Sequence, residues 1–288
     1  MFNRNQKYQF LGILEPIARL VNRKKLRVLA YHKVGNIAAF EKHILHLRKF
    51  YNIIDIHTLN SVIEQGGGLK DNSVLITFDD GDRSFYENAF PILNKYKVPA
   101  TLFVITGLLN SSIPFWWEEL EYILGEEEGH KKAWEVKGWK NEERLSYFSI
   151  IRKTSTKPQL KTFQLNTKEL IEMNLGGISI ANHSHTHPMF DRCQVNTLKE
   201  ELDKSSNYLK TNKLDYQYFA YPNGNWDLRS EMVLKEYNIN LAFLFDHKLS
   251  DLKNPLRISR IRVDADLDLS EFMSKISGLH SLLYHKAI

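Results

Sequence analysis

The chain predicts an α/β fold on a parallel sheet, and three observations carry that expectation. Short β-rich runs, "LRVLAY", "VLITF" and "ATLFVIT", precede helical stretches, "AAFEKHILHLRKF", "YENAFPILNKY" and "WWEELEYIL". The runs "GISIAN", "YQYFAY" and "NLAFLF" continue the series. A chain of 288 residues is long enough to bury its core as one such domain. Alternation of this kind fits either a doubly wound sheet or a barrel of βα units.

Taken in order, residues 5 to 22 place Phe10, Leu11, Leu14, Ile17, Leu20 and Val21 at helical spacing among basic residues. An N-terminal amphipathic helix over residues 1–25 is expected, followed by a single domain over residues 26–288. The patch "FLGIL" is cut off by Glu15 and Pro16 before it reaches the length of a secretory core. No later segment reaches about 18 uncharged apolar residues. The expectation is a protein without a cleaved export signal, cytoplasmic or peripheral at the inner face of the membrane. Arg19, Arg23, Lys24, Lys25 and Arg27 cluster in "RLVNRKKLR", which suits an anionic membrane surface or a polyanionic glycan. The net charge of +5 is modest, and no nucleic-acid motif accompanies the cluster, so nucleic acid is not an expected partner. Residues of about 125–170 are charged and tryptophan-bearing without strand signals, and predict a helical insertion. Cys193 is the only cysteine, which excludes an intramolecular disulfide and an all-thiolate metal site.

In parallel architectures chemistry collects at the C-terminal ends of strands, where loops vary without disturbing the core. "LRVLAYH" delivers His32 there, "VLITFDD" delivers Asp79 and Asp80, "GISIANHSHTH" delivers His183, His185 and His187, and "YFAYPNG" delivers Tyr221, Pro222 and Asn223. Two adjacent carboxylates leaving a buried strand need positive compensation. A divalent metal provides it: Asp80 with two neutral imidazoles makes three ligands and leaves positions open, as a catalytic site requires. Asp79 is then free to take a proton from water acidified by the ion. In an extended segment the three histidines of "HSHTH" would share a face, and spacing does not choose which two bind.

"TFDDG" at Thr77 to Gly81, "HSHTH" at His183 to His187 and "FAYPNG" at Phe219 to Gly224 together resemble the NodB-homology polysaccharide deacetylases, carbohydrate esterase family 4. The resemblance implies a distorted (β/α) barrel, with Asp79 as general base and Asp80, His183 and His187 as ligands of a divalent metal, zinc foremost. Ser184 would brace the histidine loop, and a backbone N–H near Asn223 would hold an oxyanion. Tyr221 and Pro222 belong to the motif that walls the substrate groove. Ala220 stands where many members carry the arginine that orients the base; Arg260, in "RISRIRV", or Arg262 could replace it. An N-terminal "YH" strand end in some members makes His32 the expected general acid, ahead of His280. Trp116 and Trp117 are candidate sugar-stacking residues at the groove edge.

The function so implied is metal-dependent removal of N-acetyl, or O-acetyl, groups from a sugar, polysaccharide or glycan precursor. A catalytically silent glycan-binding or assembly protein of the same fold is the alternative, with Ala220 as its supporting feature. A two-histidine, one-carboxylate iron oxygenase shares the ligand inventory.

Overall fold

The computed structural model describes residues 4–279. Helix α1 (Arg4–Val21) lies against the last helix, α11 (Leu269–Ser277), and Asn22 ties the two by donating to the Ser277 carbonyl at 3.0 Å. Strand β1 (Arg27–Tyr31) is followed by α2 (Ile37–Phe50), the short β2 (Asn52–Ile54), α3 (Ile56–Glu64) and β3 (Ser73–Phe78). A π-helical turn, Phe85–Ala89, runs into α4 (Phe90–Tyr96) and returns the chain to β4 (Ala100–Val104). Three helices, α5 (Trp116–Leu124), α6 (Glu126–Val136) and α7 (Asn141–Thr154), then intervene before α8 (Thr167–Leu175) and β5 (Ile178–Asn182). The chain continues through α9 (Val195–Thr211), β6 (Asp215–Ala220), α10 (Leu228–Glu236), β7 (Leu241–Phe243) and β8 (Ile261–Arg262) to α11.

The strands form one parallel sheet in the order β7-β6-β5-β4-β3-β1-β8, with β2 paired to the first half of β3. One segment joins its two edges. Ile258 donates to Ala242 at 2.9 Å and accepts from Leu244 at 2.8 Å beside β7, whereas Val263 donates to Ala30 of β1 at 3.1 Å. Residues 258–263 therefore curl the sheet into a distorted barrel, and among the described residues leave no long open edge to pair with another chain.

Strands buried on both faces explain the near-continuous apolar runs of the sequence. Val28, Leu75, Phe103, Ala181, Ala220, Phe243 and Ile258 form one cluster, the barrel interior. Leu29, Ile76, Leu102 and Ile180 face outward and pack with the helix residues Phe40, Leu93 and Met173. Because strand side chains alternate, continuing the inward set at its period of two to the first residue past each strand end reaches His32, Asp79 and His183, and the same step from Ile258 reaches Arg260.

The inserted helices span residues 116–154, earlier than the expected 125–170: α8 belongs to the βα series, since it leads directly into β5. Strand β2, α3 and β8 carry too few residues of clear periodicity to stand out in the sequence.

Candidate metal centre and active site

Strand β3 ends by turning sharply. Asp80 and Gly81 both adopt left-handed backbone, φ +70° and +76°, and Gly81 donates back to the Asp79 carbonyl at 2.9 Å. Left-handed geometry is unfavourable for an aspartate and tends to persist where a site requires it. The turn sends the two neighbouring carboxylates to different partners.

Asp79 points inward and is buried. Arg260 reaches it from the segment that closes the barrel, with Nη1 and Nη2 each donating to one carboxylate oxygen at 2.7 Å. The guanidinium is itself fixed by the Leu244 carbonyl at 2.6 Å and by Thr77 Oγ1 at 3.2 Å. Burial pushes the Asp79 carboxyl upward, but Arg260 and His183 outweigh it, so its pKa lies below the ordinary carboxylate value.

Asp80 faces the histidines. Its Oδ1 stands 3.4 Å from His183 Nε2 and 3.5 Å from His187 Nε2, and one ligand atom from each of the three lies within 4.8 Å of the others. Two ligands bound at about 2.1 Å to one tetrahedral ion stand about 3.4 Å apart, so the set fits a divalent metal. His183 Nδ1 donates to the Ala220 carbonyl at 2.8 Å, which commits that nitrogen and leaves Nε2 for the ion. Burial opposes ionisation of Asp80, and the histidines around it, His183 first, overcome this and hold its pKa low. Burial drops His187 to about 3, keeping it neutral as a ligand must be.

Positive φ at Ser184 (+66°) and His187 (+57°) breaks the extended path that would have put all three histidines on one face. His185 therefore leaves the ligand set and approaches Thr106 Oγ1 at 3.0 Å. The loop is braced from within by the His187 N–H on Ser184 Oγ at 3.0 Å, and the Asn182 side chain accepts from Ser184 N–H at 2.8 Å. It is clamped from outside by Glu201 of α9, whose carboxylate accepts the N–H groups of His185 (2.8 Å) and Thr186 (2.7 Å) and the Thr186 hydroxyl (2.6 Å). Arg144 of α7 donates to the His187 carbonyl at 3.3 Å.

These residues open into a cavity of about 810 Å³. His32 lines it with its ring edge-on to Phe245 at 5.4 Å, and Asn223 lines it beside Lys137. Asn223 is left-handed, φ +56°, and the following Gly224, φ +75°, presses so closely on Phe245 that a Cβ would meet it at 2.6 Å. Arg262 is exposed at the cavity wall and pairs with Asp264 at 3.2 Å. His280 lies outside the described residues.

Three expected substrate contacts need correction. Trp116 is buried against Phe148 and Arg144, and Trp117 is the member of the pair that lines the cavity, 5.0 Å from the His187 ring. Tyr221 is fully buried between Phe190 and Phe219, and Pro222 is buried as well; neither lines the cavity. The motif holds the wall from behind rather than touching what enters.

Sequence reading missed the contribution of the insertion. Trp134 and Lys137, three apart on one helical face, line the cavity; the Lys137 ammonium lies 4.1 Å over the Trp134 ring and donates to Asn223 Oδ1 at 2.9 Å. The spacing in "WEVK" was the available signal. Glu201 had none, because its partners, two backbone N–H groups and the Thr186 hydroxyl, lie 15 and 16 residues away and form no motif with it.

Fold and ligand set together define a class: a parallel barrel with a candidate site for one divalent metal ion, Asp80, His183 and His187, at the C-terminal ends of its strands. The family model described as polysaccharide deacetylase matches residues 66–242, more than half of the chain, and the chain belongs to that family. A poly-beta-1,6-N-acetyl-D-glucosamine N-deacetylase of Staphylococcus aureus (strain MSSA476) is 28% identical over 220 residues, covering 74% of this chain and 62% of the relative. Its counterpart in strain MRSA252 is 29% identical over 226 residues with the same coverage. The chain thus matches 62% of the length of these curated relatives. Among solved structures, the Streptococcus pyogenes deacetylase PplD in complex with acetate aligns with TM-score 0.65 at 19% identity, over 88% of this chain and 98% of that one. IcaB from Ammonifex degensii aligns with TM-score 0.65 at 20% identity, over 88% and 97%. At these identities the likeness shows the fold.

Proposed function

We propose that this chain is a metal-dependent hydrolase that removes N-acetyl groups from an N-acetylated glycan, with a polymer or precursor of N-acetylglucosamine as the substrate class. The observation that carries the reading is the buried Asp79–Arg260 pair beside the Asp80, His183 and His187 set, because it supplies a charged carboxylate next to three metal ligands. The poly-beta-1,6-N-acetyl-D-glucosamine for which the Staphylococcus aureus relatives are named supports the choice of sugar.

Asp80, His183 and His187 would hold the ion, and their one-oxygen, two-nitrogen donor set suits zinc. Bound there, it supplies Lewis-acid polarisation of the acyl carbonyl and acidifies water. Asp79 accepts the proton of the attacking water, with its oxygens aimed by the Arg260 fork. A depressed pKa keeps Asp79 ionised at neutral pH. The backbone N–H of Asn223 stabilises the oxyanion of the tetrahedral intermediate. As the C–N bond breaks, His32 donates a proton to the departing nitrogen, giving acetate and a free amine. Trp117 and Trp134 offer apolar faces for sugar rings. The silent-protein alternative drew on Ala220 alone, and Arg260 supplies a guanidinium to Asp79 by another route.

Acetate release from N-acetylglucosamine oligomers by zinc-loaded protein, with Asp79→Asn as control, tests this reading. Release by the wild type alone supports it. Equal release by the variant removes Asp79 from its role, and no release from either N- or O-acetylated glycans rejects the activity.

A further inference from the structure

We propose that the outward face of α1 docks on an anionic membrane surface. The helix is apolar on two sides. Tyr8, Leu11 and Ala18 are buried, whereas Phe10, Ile13, Ile17, Leu20 and Val21 are 58%, 74%, 64%, 60% and 77% exposed. Spacings of three, four, three and one residues gather these five on one arc of the helix surface. An apolar stripe of this size on the outside of a folded chain marks an interaction site.

Charge identifies the occupant. Residues 1–25 hold six Lys and Arg against one acid, Glu15, and Glu15 is turned inward, where the Tyr51 hydroxyl donates to it at 2.7 Å. Arg23, Lys24 and Lys25 follow the stripe directly and are exposed; Asp71 pairs with the first two and leaves the cluster net positive. Arg19 lies on the inner side of the helix, where it pairs with Glu15 at 2.9 Å and stands 5.0 Å over the Phe50 ring, so the free cations beside the stripe are those at its C-terminal end. A second copy of the chain seated on this stripe by two-fold symmetry would bring the cationic clusters together, which costs repulsion. An anionic lipid surface satisfies the apolar stripe and the cations at once.

The helix would lie along the surface rather than enter it. One side is occupied by α11, and no helix among the described residues is long and apolar enough to cross a membrane. Gly12 sits against Ser270 at the start of α11, which fixes the helix to the fold with its apolar stripe turned outward.

Cosedimentation with sucrose-loaded vesicles tests the proposal independently of any enzymatic activity. Vesicles containing about one-third phosphatidylglycerol should bind the wild type about tenfold or more tightly than phosphatidylcholine alone, with affinity falling as salt rises. Ile13→Asp with Ile17→Asp should abolish binding while leaving thermal stability unchanged; Lys24→Glu with Lys25→Glu should remove only the preference for anionic lipid. No binding by the wild type, undiminished binding by both double variants, or light scattering that shows a dimer split by Ile13→Asp with Ile17→Asp would each overturn it.

Discussion

Arg260 and Asp79, 181 residues apart, meet as a fully buried two-pronged pair whose four atoms form two bonds of 2.7 Å. The contact exists because the segment carrying Arg260 closes the barrel between β7 and β1, directly over the end of β3. Closure of the fold and charging of the carboxylate are one event.

Arg260→Met should therefore act on stability and on pH dependence together. An unpaired carboxylate in this position costs about 3–5 kcal/mol, and without the guanidinium burial raises the Asp79 pKa. The acid limb of the pH profile of kcat/KM should move to higher pH, with Arg260→Lys intermediate because it restores charge but not the fork. Identical profiles for all three proteins would detach Arg260 from the base.

Metal should be visible in stability as well as activity. Zinc at about 1,000 times its Kd adds about 4 kcal/mol to a protein that binds it only when folded. A chelator should lower Tm and stop acetate release, zinc should restore both, and Asp80→Asn should remove the zinc-dependent shift. A variant that retains the full shift would place the ion elsewhere.

Glu201 acts on the ligands through the backbone. Glu201→Ala should weaken zinc binding by about 10–100-fold, the usual cost of losing a group that orients a ligand. Competition with a chromophoric chelator measures this. Unchanged affinity would mean that the loop between His183 and His187 holds its shape unaided.

Two tryptophans of the inserted helices should separate cleanly. Trp134→Ala is expected to raise KM for oligomers about tenfold with kcat little changed, since it removes wall contact made before and during reaction. Trp116→Ala should instead cost about 3 kcal/mol or more of stability, because it empties space against Phe148. Steady-state kinetics and urea unfolding distinguish them, and a KM defect confined to Trp116→Ala would reverse the assignment.

Acid sensitivity has a defined source in His43, stacked on Phe272 at 4.0 Å and held by the Leu267 carbonyl at 2.9 Å. Burial drops its pKa to about 4, against about 6.5 in the unfolded chain. Between those values only the unfolded chain takes the proton. The contribution, about 3 kcal/mol, is complete above about pH 6.5 and is lost as pH falls toward 4. Urea unfolding at several pH values should show a shallower loss for His43→Gln; parallel curves would assign the sensitivity to other groups.

The sequence by itself determined the alternation of strands and helices, the delivery of His32, Asp79, Asp80 and the histidine loop to strand ends, and the match of ordered motifs to one family. These are local properties: apolar runs, turn residues and short spacings report on backbone a few residues away. Tertiary structure alone decided which aromatic of "FWW" faces the cavity, why His185 leaves the ligand set, and how Arg260 and Glu201 support the site. Those outcomes depend on left-handed backbone at Ser184 and His187, and on chain closure that brings residue 260 to residue 79. Contacts across such separations are selected by the packing of the whole barrel: "RISRIRV" offers both Arg260 and Arg262, and only closure of the chain brings Arg260 to Asp79 and leaves Arg262 with Asp264.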